Sequence, residues 1–500
     1  MSAKKLRMAG AVLLGGALSS VLPEGGAYAQ APVRQGEIDS LKAQIQSMER
    51  RLNQMQAAQD VKINEIKSKQ QESVEVKLNN GRPTLRTPDG MFEMALRGRV
   101  HFDTGAYFQD DDRLPAIAPG RDLGSGSNFR RARLGVEGKF MRDWGYQLEV
   151  NFGGSGGESA GTINYAWLSY SGIKPLTFFA GALKPSMTME DTTSSNEIPF
   201  IERASAVNMA ISLGAGDSRT AFGVRGNEGN FYGSLYYTGG LIGEGGTDEQ
   251  SALVGRAAYH FQPNKDSTVH IGASGTNVFE FNQPSGGIPA FTLQDRPELR
   301  IDGTRLASTG TLNVEEAKVY GPEFGFNWKN IYGQAEYYRY DIDRRGASEA
   351  NFDAWYIQGT YILTGESRPY DVKTASFGGP KPNGPLGFGG SIGAWELAAR
   401  YSAADLNDHA SSIPCLGTVA GGAATLNPAA ASSCIRGGDQ DIVTLGVNWY
   451  PIRNVRFMLN YLIADVERRA YSNNSVANGG PNAQIGQDYT ALALRTQYNW

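Results

Sequence analysis

Arginines that recur at every second position are the residues best placed to do chemistry in this chain. Between Met94 and Asp103, the odd positions hold Arg97, Arg99, His101 and Asp103, and the even ones Met94, Leu96, Val100 and Phe102. In the segment FRRARLGVEGKF (Phe129–Phe140), Arg131, Arg133, Glu137 and Lys139 share one face, Ala132, Leu134 and Val136 share the other, and Arg130 stands at the near end. The same parity assigns Arg225 and Arg256 to a charged face. On an extended chain, successive side chains point to opposite faces. A lipid-facing arginine costs about 2–4 kcal/mol at the bilayer midplane. If the oily faces meet lipid, the charged faces must border water. A column of fixed cations in a narrow, partly desolvated wall attracts anions and repels cations. Lumen acids such as Glu137, Glu149 and Glu336 offer the opposite outcome, in which they pair with the arginines and leave them as wall packing.

Other chemistries have little to work with. Hydrolysis needs a nucleophile beside a base and an orienting acid or amide, and His101, His260, His270 and His409 sit in no such motif. No enzyme activity is therefore expected. Cys415 and Cys434 have no histidine or second cysteine at ligand spacing, so neither metal nor cofactor is expected. In an exported chain they are expected to pair as a disulfide; a loop of about 20 residues closed this way gains on the order of 3 kcal/mol.

The elements that must position the arginines are strands. From Phe92 to Trp500 the apolar period is two, and alternating segments start near residues 92, 129, 144, 162, 176, 219, 231, 251, 268, 317, 331, 351, 391, 439, 455 and 486. About 16 strands is an even number, as single-chain bacterial barrels have. Short links at 141–143, 227–230, 329–330 and 451–454 alternate with long ones at 109–128, 184–218, 281–316, 404–438 and 469–485. Short periplasmic turns and long external loops give that asymmetry. The turn at 365–390 is long and rich in Gly and Pro; it either returns into the lumen or stays unstructured. Loop 184–218 carries EDTTSSNEIPFIERA, which suits an inward-folded eyelet anchored by Ile198, Phe200 and Ile201 with Arg203 toward the pore. The final strand ends on Trp500, an aromatic terminus like those of outer-membrane barrels. A soluble β-sandwich would not explain the export signal, the strand number and the loop asymmetry together.

Residues 1–76 have another character. Lys4, Lys5 and Arg7 precede an uncharged run from Met8 to Leu22, and Ala27-Tyr28-Ala29 supplies small residues for cleavage after Ala29. This is the layout of a secretory signal, too short and too rich in Gly and Ser for a membrane anchor. Residues 30–76 lack aromatics, and Ile38, Leu41, Ile45, Met48, Leu52 and Met55 fall three and four apart. That is a heptad seam, resumed by Ile63 and Ile66 after a stutter. A seam this short needs association through another part of the chain; the alternative is a single amphipathic helix at the barrel's periplasmic rim. The expected organisation is thus a signal peptide over 1–29, a periplasmic coiled coil over 30–76, and an all-β transmembrane antiparallel barrel over 77–500. The net charge of −4 says little about the solute, because a pore acts through local charge.

Several segments carry a resemblance. FRRARLGVEGKFMRDWGYQLEVNFGG, INYAWLSYSG, TSSNEIPFIERA, WYIQGTYILTGESRPY, GAWELAARYSAADLND and GGDQDIVTLGVNWYPIRNVRFMLNY are similar to signature segments of the phosphate-selective porin O and P family. The resemblance implies a trimer of 16-stranded outer-membrane barrels in which an arginine ladder leads anions to a constriction. Its constriction arginine pair matches Arg130 and Arg131. Phosphate-selective members carry an acid where this chain has Tyr165 and a lysine where it has Asn196. The expectation is therefore passive diffusion of small hydrophilic solutes with a preference for anions, in the outer membrane, as a homotrimer in contact with lipid and without a nucleic-acid partner. The alternatives are a phosphate- or polyphosphate-selective channel, or a sugar or carboxylate channel using Tyr332, Tyr338 and Tyr340.

Overall fold

The computed structural model describes residues 35–72, 74–79, 81–109, 122–154, 160–243, 248–283, 287–410, 433–469 and 484–500. The export signal expected at 1–29 and Cys415 lie outside the described residues. Cys434 is buried and is not a free thiol.

Residues 1–70 and 71–500 form separate units. The described part of the first is one long helix, Gln35–Glu72 (α1). Leu41, Ile45, Met48, Leu52 and Met55 all lie exposed on it, and the helix continues through the stutter before Ile63.

In the second unit sixteen antiparallel strands close into a barrel. They are Phe92–Gln109 (β1), Gly126–Phe140 (β2), Trp144–Asn151 (β3), Thr162–Tyr170 (β4), Leu176–Leu183 (β5) and Arg219–Glu228 (β6). Next come Phe231–Leu241 (β7), Ser251–Asn264 (β8), Ser267–Glu280 (β9), Leu312–Trp328 (β10) and Ile331–Arg344 (β11). Ala350–Ile362 (β12), Ala394–Asp408 (β13), Ile435–Ile452 (β14), Val455–Glu467 (β15) and Tyr489–Asn499 (β16) complete the wall. Each strand pairs with the next, and β16 pairs with β1 from Tyr489↔Gln109 to Asn499↔Arg99. The strand number and closure read from the alternation are borne out. The main-chain closure continues to Trp500, whose N–H donates to the Gly98 carbonyl at 3.1 Å and whose carbonyl accepts from the Gly98 N–H at 3.2 Å. The Trp500 indole lies where a Cβ on residue 98 would stand, so any larger residue there would have to displace the ring.

The two faces of the wall differ as the parity demands. Outward positions such as Leu96, Leu134, Leu148, Leu235, Ile271, Ile357, Leu459 and Leu494 are exposed, whereas their inward neighbours are buried and mostly polar or small. Aromatic residues ring both ends of the outer face, as in other membrane barrels. At the short-turn end, Trp395, Trp449 and Phe457 stack in series. At the long-loop end the hydroxyls of Tyr320, Tyr337 and Tyr401 donate to Asp341, Asp353 and Asp441 at 3.0, 2.6 and 2.5 Å.

Among the described residues, three segments occupy the bore. Loop 184–218 enters from the loop end and carries two short helices, Met189–Thr192 (α2) and Ser205–Ser212 (α3). Loop 281–311 reaches across the same end: the Arg300 carbonyl accepts from Asn128 of β2 at 2.9 Å, the Pro297 carbonyl accepts from Tyr489 of β16 at 2.8 Å, and the Ser308 N–H donates to the Gly437 carbonyl of β14 at 2.8 Å. The turn 363–393 enters from the other end, with Ala375 and Phe377 buried. Of the two fates open to residues 365–390, the return into the lumen is the one observed. Arg256 fixes this strap by donating to the Thr374 and Ala375 carbonyls at 2.8 and 2.6 Å, and Phe377 packs edge-on against Tyr332 with ring centres 5.2 Å apart.

Candidate constriction

Loop 184–218 hangs on the wall by its own carbonyls. The carbonyl of Asn196 accepts from Gln497, that of Glu197 from Arg368, that of Ile198 from Arg456, and that of Pro199 from Asn448, at 3.1, 2.7, 2.7 and 2.8 Å. Those of Ile201 and Glu202 accept from Arg495 and Arg400 at 2.5 and 3.0 Å. A loop buried in a lumen loses water as a partner, so each carbonyl needs a donor from the wall. Arginine suits the task because its guanidinium has five donors on a long reach. Ile198, Phe200 and Ile201 are buried, as expected of anchors, and the Arg400 guanidinium lies 4.4 Å over the Phe200 ring.

The helices of the loop are pinned by carboxylates. Glu336 of β11 accepts from the N–H groups of Met189 and Glu190 at 2.5 and 3.3 Å, at the start of α2. Glu298 of loop 281–311 accepts from the N–H of Ser205 at 3.1 Å, at the start of α3, and also from Arg400 of β13 and Thr444 of β14. Helix N-termini favour acidic partners because their first N–H groups are unpaired.

Two β-bulges set the charged face here. The pairing slips after His101↔Arg131, so the next pair is Phe102↔Phe129 and Arg130 has no opposite residue. Both Arg130 and Arg131 consequently turn into the lumen, which strict alternation forbids. A second slip between Glu149↔Tyr165 and Val150↔Ile163 puts both Asn164 and Tyr165 on the inner face.

The expected site residues fall into four groups. Arg130 and Arg131 both meet Glu202, with Arg130 Nε 2.8 Å and Arg131 Nη1 3.8 Å from its carboxylate. Arg495 and Arg300 complete the cluster at 3.0 and 3.5 Å. Burial alone would raise the Glu202 pKa, but the four guanidiniums outweigh it and hold the carboxyl well below its ordinary range. Arg99 meets hydroxyls, with its Nη1 2.5 Å from Ser195 Oγ and its Nη2 3.4 Å from Ser194 Oγ. Next to it His101 Nε2 lies 3.0 Å from Asn196 Oδ1 and His101 Nδ1 3.5 Å from Arg131 Nη1. A guanidinium only donates, so Nδ1 is the acceptor, Nε2 carries the proton, and the ring is neutral.

Arg133 is held between Asp217 at 2.9 Å and Glu149 at 3.5 Å, and Tyr165 donates its hydroxyl to the same Asp217 at 3.1 Å. A carboxylate therefore does stand at Tyr165, delivered by the far end of loop 184–218. Arg97 pairs with Glu137 and, together with Lys139 and Arg225, lines a water-accessible cavity of about 1250 Å³ at the short-turn end. That cavity extends inward to Ser194, Asn196 and Glu197.

Two expected residues sit elsewhere. Arg203 folds back on its own loop, donating to the carbonyls of Glu190, Asp191 and Thr193 at 3.3, 3.3 and 3.2 Å, where the end of α2 leaves acceptors unpaired. Arg256 is fully enclosed between Glu323 at 2.9 Å and the strap carbonyls, so it joins wall to strap. Tyr338 and Tyr340 are likewise buried, and Tyr340 donates to the Ala206 carbonyl of α3 at 2.9 Å. Two other histidines serve the framework: His270 links Tyr370 and Glu323 at 2.8 and 2.9 Å, and His260 faces the Asn230 carbonyl at 3.1 Å, while His409 is exposed beside Asp408.

Parity alone could have found Arg400, Arg456 and Arg495, which share the inward face of their strands. Glu202, Asp217 and Glu298 lie on loops and carry no periodic signal.

Residues 87–500 match the family described as phosphate-selective porin O and P. Porin O of Pseudomonas aeruginosa is 24% identical over 414 residues, covering 78% of this chain and 86% of its own. An uncharacterized protein of Caulobacter vibrioides is 27% identical over 462 residues, covering 86% and 84%. Among solved structures, an anion-selective porin from Comamonas acidovorans is 13% identical with a TM-score of 0.45, covering 82% of this chain and 100% of that one. The outer membrane channel DcaP of Acinetobacter baumannii is also 13% identical with a TM-score of 0.45, covering 83% and 99%. With a closed sixteen-stranded wall, an inward loop and a family match across most of its length, the chain belongs to the phosphate-selective porin O and P family of outer-membrane channels.

Proposed function

We propose that this porin passes small hydrophilic solutes down their gradients and favours anions. The observation that carries the preference is Arg99. Its guanidinium is buried beside Ser194, which lines the cavity, and is met by the Ser194 and Ser195 hydroxyls; among the described residues no carboxylate forms an ion pair with it. A cation that faces neutral donors keeps its field for a passing solute. The surrounding arginines are largely matched by Glu202, Glu149, Glu137 and Asp217, which supports a weak rather than an exclusive preference.

A phosphate-holding site is the second reading. It draws on the same arginine and its two hydroxyls, which are suitable donors for an oxyanion. Tyr165 and Asn196, where phosphate-selective members carry an acid and a lysine, weigh against it. A sugar channel has less support because Tyr332, Tyr338 and Tyr340 are buried, Tyr340 against the inward loop and Tyr332 against the strap. The decisive measurement is the chloride-to-potassium permeability ratio in planar bilayers, with phosphate added as a competing blocker. A ratio above one with little block is expected. A ratio at or below one refutes the anion preference, and strong block at low phosphate favours the second reading.

We further propose export through a signal cleaved after Ala29 and a homotrimer whose periplasmic coiled coil spans residues 30–76. The exposed apolar seam of α1 supports this, since an oily stripe on a charged helix is stabilised by copies of itself.

A further inference from the structure

We propose that Asp217 sets the charge selectivity of the eyelet by masking Arg133, an inference that rests on the reading of the chain as an ion-passing pore. Loop 184–218 returns to the wall through Gly216, Asp217 and Ser218. Gly216 has φ +91° and Ser218 φ +64°, so a non-glycine residue sits in the left-handed region directly after Asp217. Such strain survives only where the surroundings impose it. Here the turn points one carboxylate at the inner face of β2 and β4, where Oδ2 accepts from Arg133 Nη2 at 2.9 Å and Oδ1 from the Tyr165 hydroxyl at 3.1 Å.

Exposure separates Asp217 from Glu202 and Glu149, the buried acids around it. Its side chain keeps 33% of its surface open, against 2% for Glu202 and 3% for Glu149. Arg133, its partner, keeps only 6%. A solute at this point therefore meets the carboxylate first and the guanidinium behind it. Arg133 is flanked on its other side by Glu149 at 3.5 Å, so it is matched twice. Lys184 and Arg203 also attract the Asp217 carboxylate, but each is paired with Asp191, at 3.5 and 3.3 Å, and keeps only 15% and 9% of its side-chain surface open. Among the described residues of this ring, the charge most open to the bore is negative. A permeating ion responds most to the nearest and least shielded wall charge. Asp217 thus opposes Arg99 in series and holds the preference for anions below what the arginines alone would give.

The test uses the full chain, extracted or refolded as the native oligomer, in planar bilayers under a potassium chloride gradient. D217N keeps the shape and the hydrogen-bond acceptor but removes the charge, leaving Arg133 with Glu149 as its remaining described acid. Its chloride-to-potassium permeability ratio is expected to rise about threefold or more over the wild type, and more strongly in 0.1 M than in 1 M salt, where the screening length falls from about 10 Å to about 3 Å. D217E, which restores the charge, is expected to return the ratio toward the wild-type value. If D217N does not insert, D217S carries the same expectation. An unchanged ratio at both salt concentrations overturns the assignment. So does a D217E ratio equal to that of D217N, which would mean that shape and not charge is read. Because the shift is taken relative to the wild type, a wild-type ratio at or below one removes the anion preference but leaves this test intact.

Discussion

The cluster around Glu202 permits a quantitative test through a double-mutant cycle with Arg130. Glu202 is 2% exposed and Arg130 7%, and they meet through Arg130 Nε at 2.8 Å and Nη2 at 3.4 Å. A pair of unit charges near 4 Å gains about 4 kcal/mol at an effective dielectric of about 20. Desolvation offsets part of this, and removing one partner of a buried pair typically costs about 3–5 kcal/mol because the other charge is left uncompensated. The two substitutions are not equivalent. E202Q leaves Arg130, Arg131, Arg300 and Arg495 crowded together without the carboxylate they share, so the full cost of about 3–5 kcal/mol is expected. R130Q leaves Glu202 with Arg495 at 3.0 Å and Arg300 at 3.5 Å, and a smaller loss of about 1–3 kcal/mol is expected. In the double variant, removing Arg130 relieves repulsion among the remaining cations. The double variant should therefore be no less stable than E202Q, a coupling of about 1–3 kcal/mol. The assay is urea unfolding of protein refolded into lipid vesicles, followed by tryptophan fluorescence and by the gel mobility of the folded barrel. Additivity of the two losses within about 0.5 kcal/mol would refute the shared-carboxylate account.

Three further outcomes follow from the packing. G98A should weaken closure by about 1–3 kcal/mol, since its methyl displaces the Trp500 indole; heat-modifiability on gels measures this, and an unchanged transition temperature contradicts it. F377A should loosen the strap, because the ring fills the gap between Tyr332 and Tyr370 and large-to-small changes of this kind cost about 3–5 kcal/mol. Its single-channel conductance is expected to increase, and an unchanged conductance would show that the strap does not narrow the path. L52D in α1 should lower the temperature at which the oligomer dissociates while leaving single-channel conductance as it was; equal dissociation temperatures would exclude association through this seam.

The wall was legible because lipid and water impose opposite demands on alternate residues. That constraint gave sixteen strand starts and the inward face of Arg97, Arg99, Arg131 and Arg133 without any knowledge of their partners. It was blind at the bulges, where one extra residue turns Arg130 and Arg131 to the same side and does the same for Asn164 and Tyr165. It was also blind to the loops. Nothing periodic marks Glu202, Asp217 or Glu298, whose positions depend on long-range closure: Asp217 meets Tyr165 across 52 residues and Glu298 meets Arg400 across 102. Arg203 points away from the expected side for the same reason, since the nearest unpaired carbonyls belong to its own loop.

The arrangement changes what an arginine in such a lumen signifies. A loop folded into a bore brings a peptide carbonyl with almost every residue, and each one left unpaired costs roughly 1–3 kcal/mol. Six consecutive-strand or strap side chains, four of them arginines, meet the carbonyls between Asn196 and Glu202. Acids match the charge imported with three of these arginines, at Arg368–Glu396, Arg400–Glu298 and Arg495–Asp103, while Arg456 meets the neutral Tyr450 and Gln497 side chains. Holding the eyelet thus generates a dense set of paired charges that face one another and contribute little field along the path. On the proposed reading, selectivity falls to groups outside this matching, among them Arg99, whose described contacts are hydroxyls, Arg225, which lies over the Phe179 ring in the cavity wall, and Asp217, whose carboxylate stays one-third open. Counting lumen arginines overstates the anion preference of a barrel of this type, and sorting them by partner gives the better estimate.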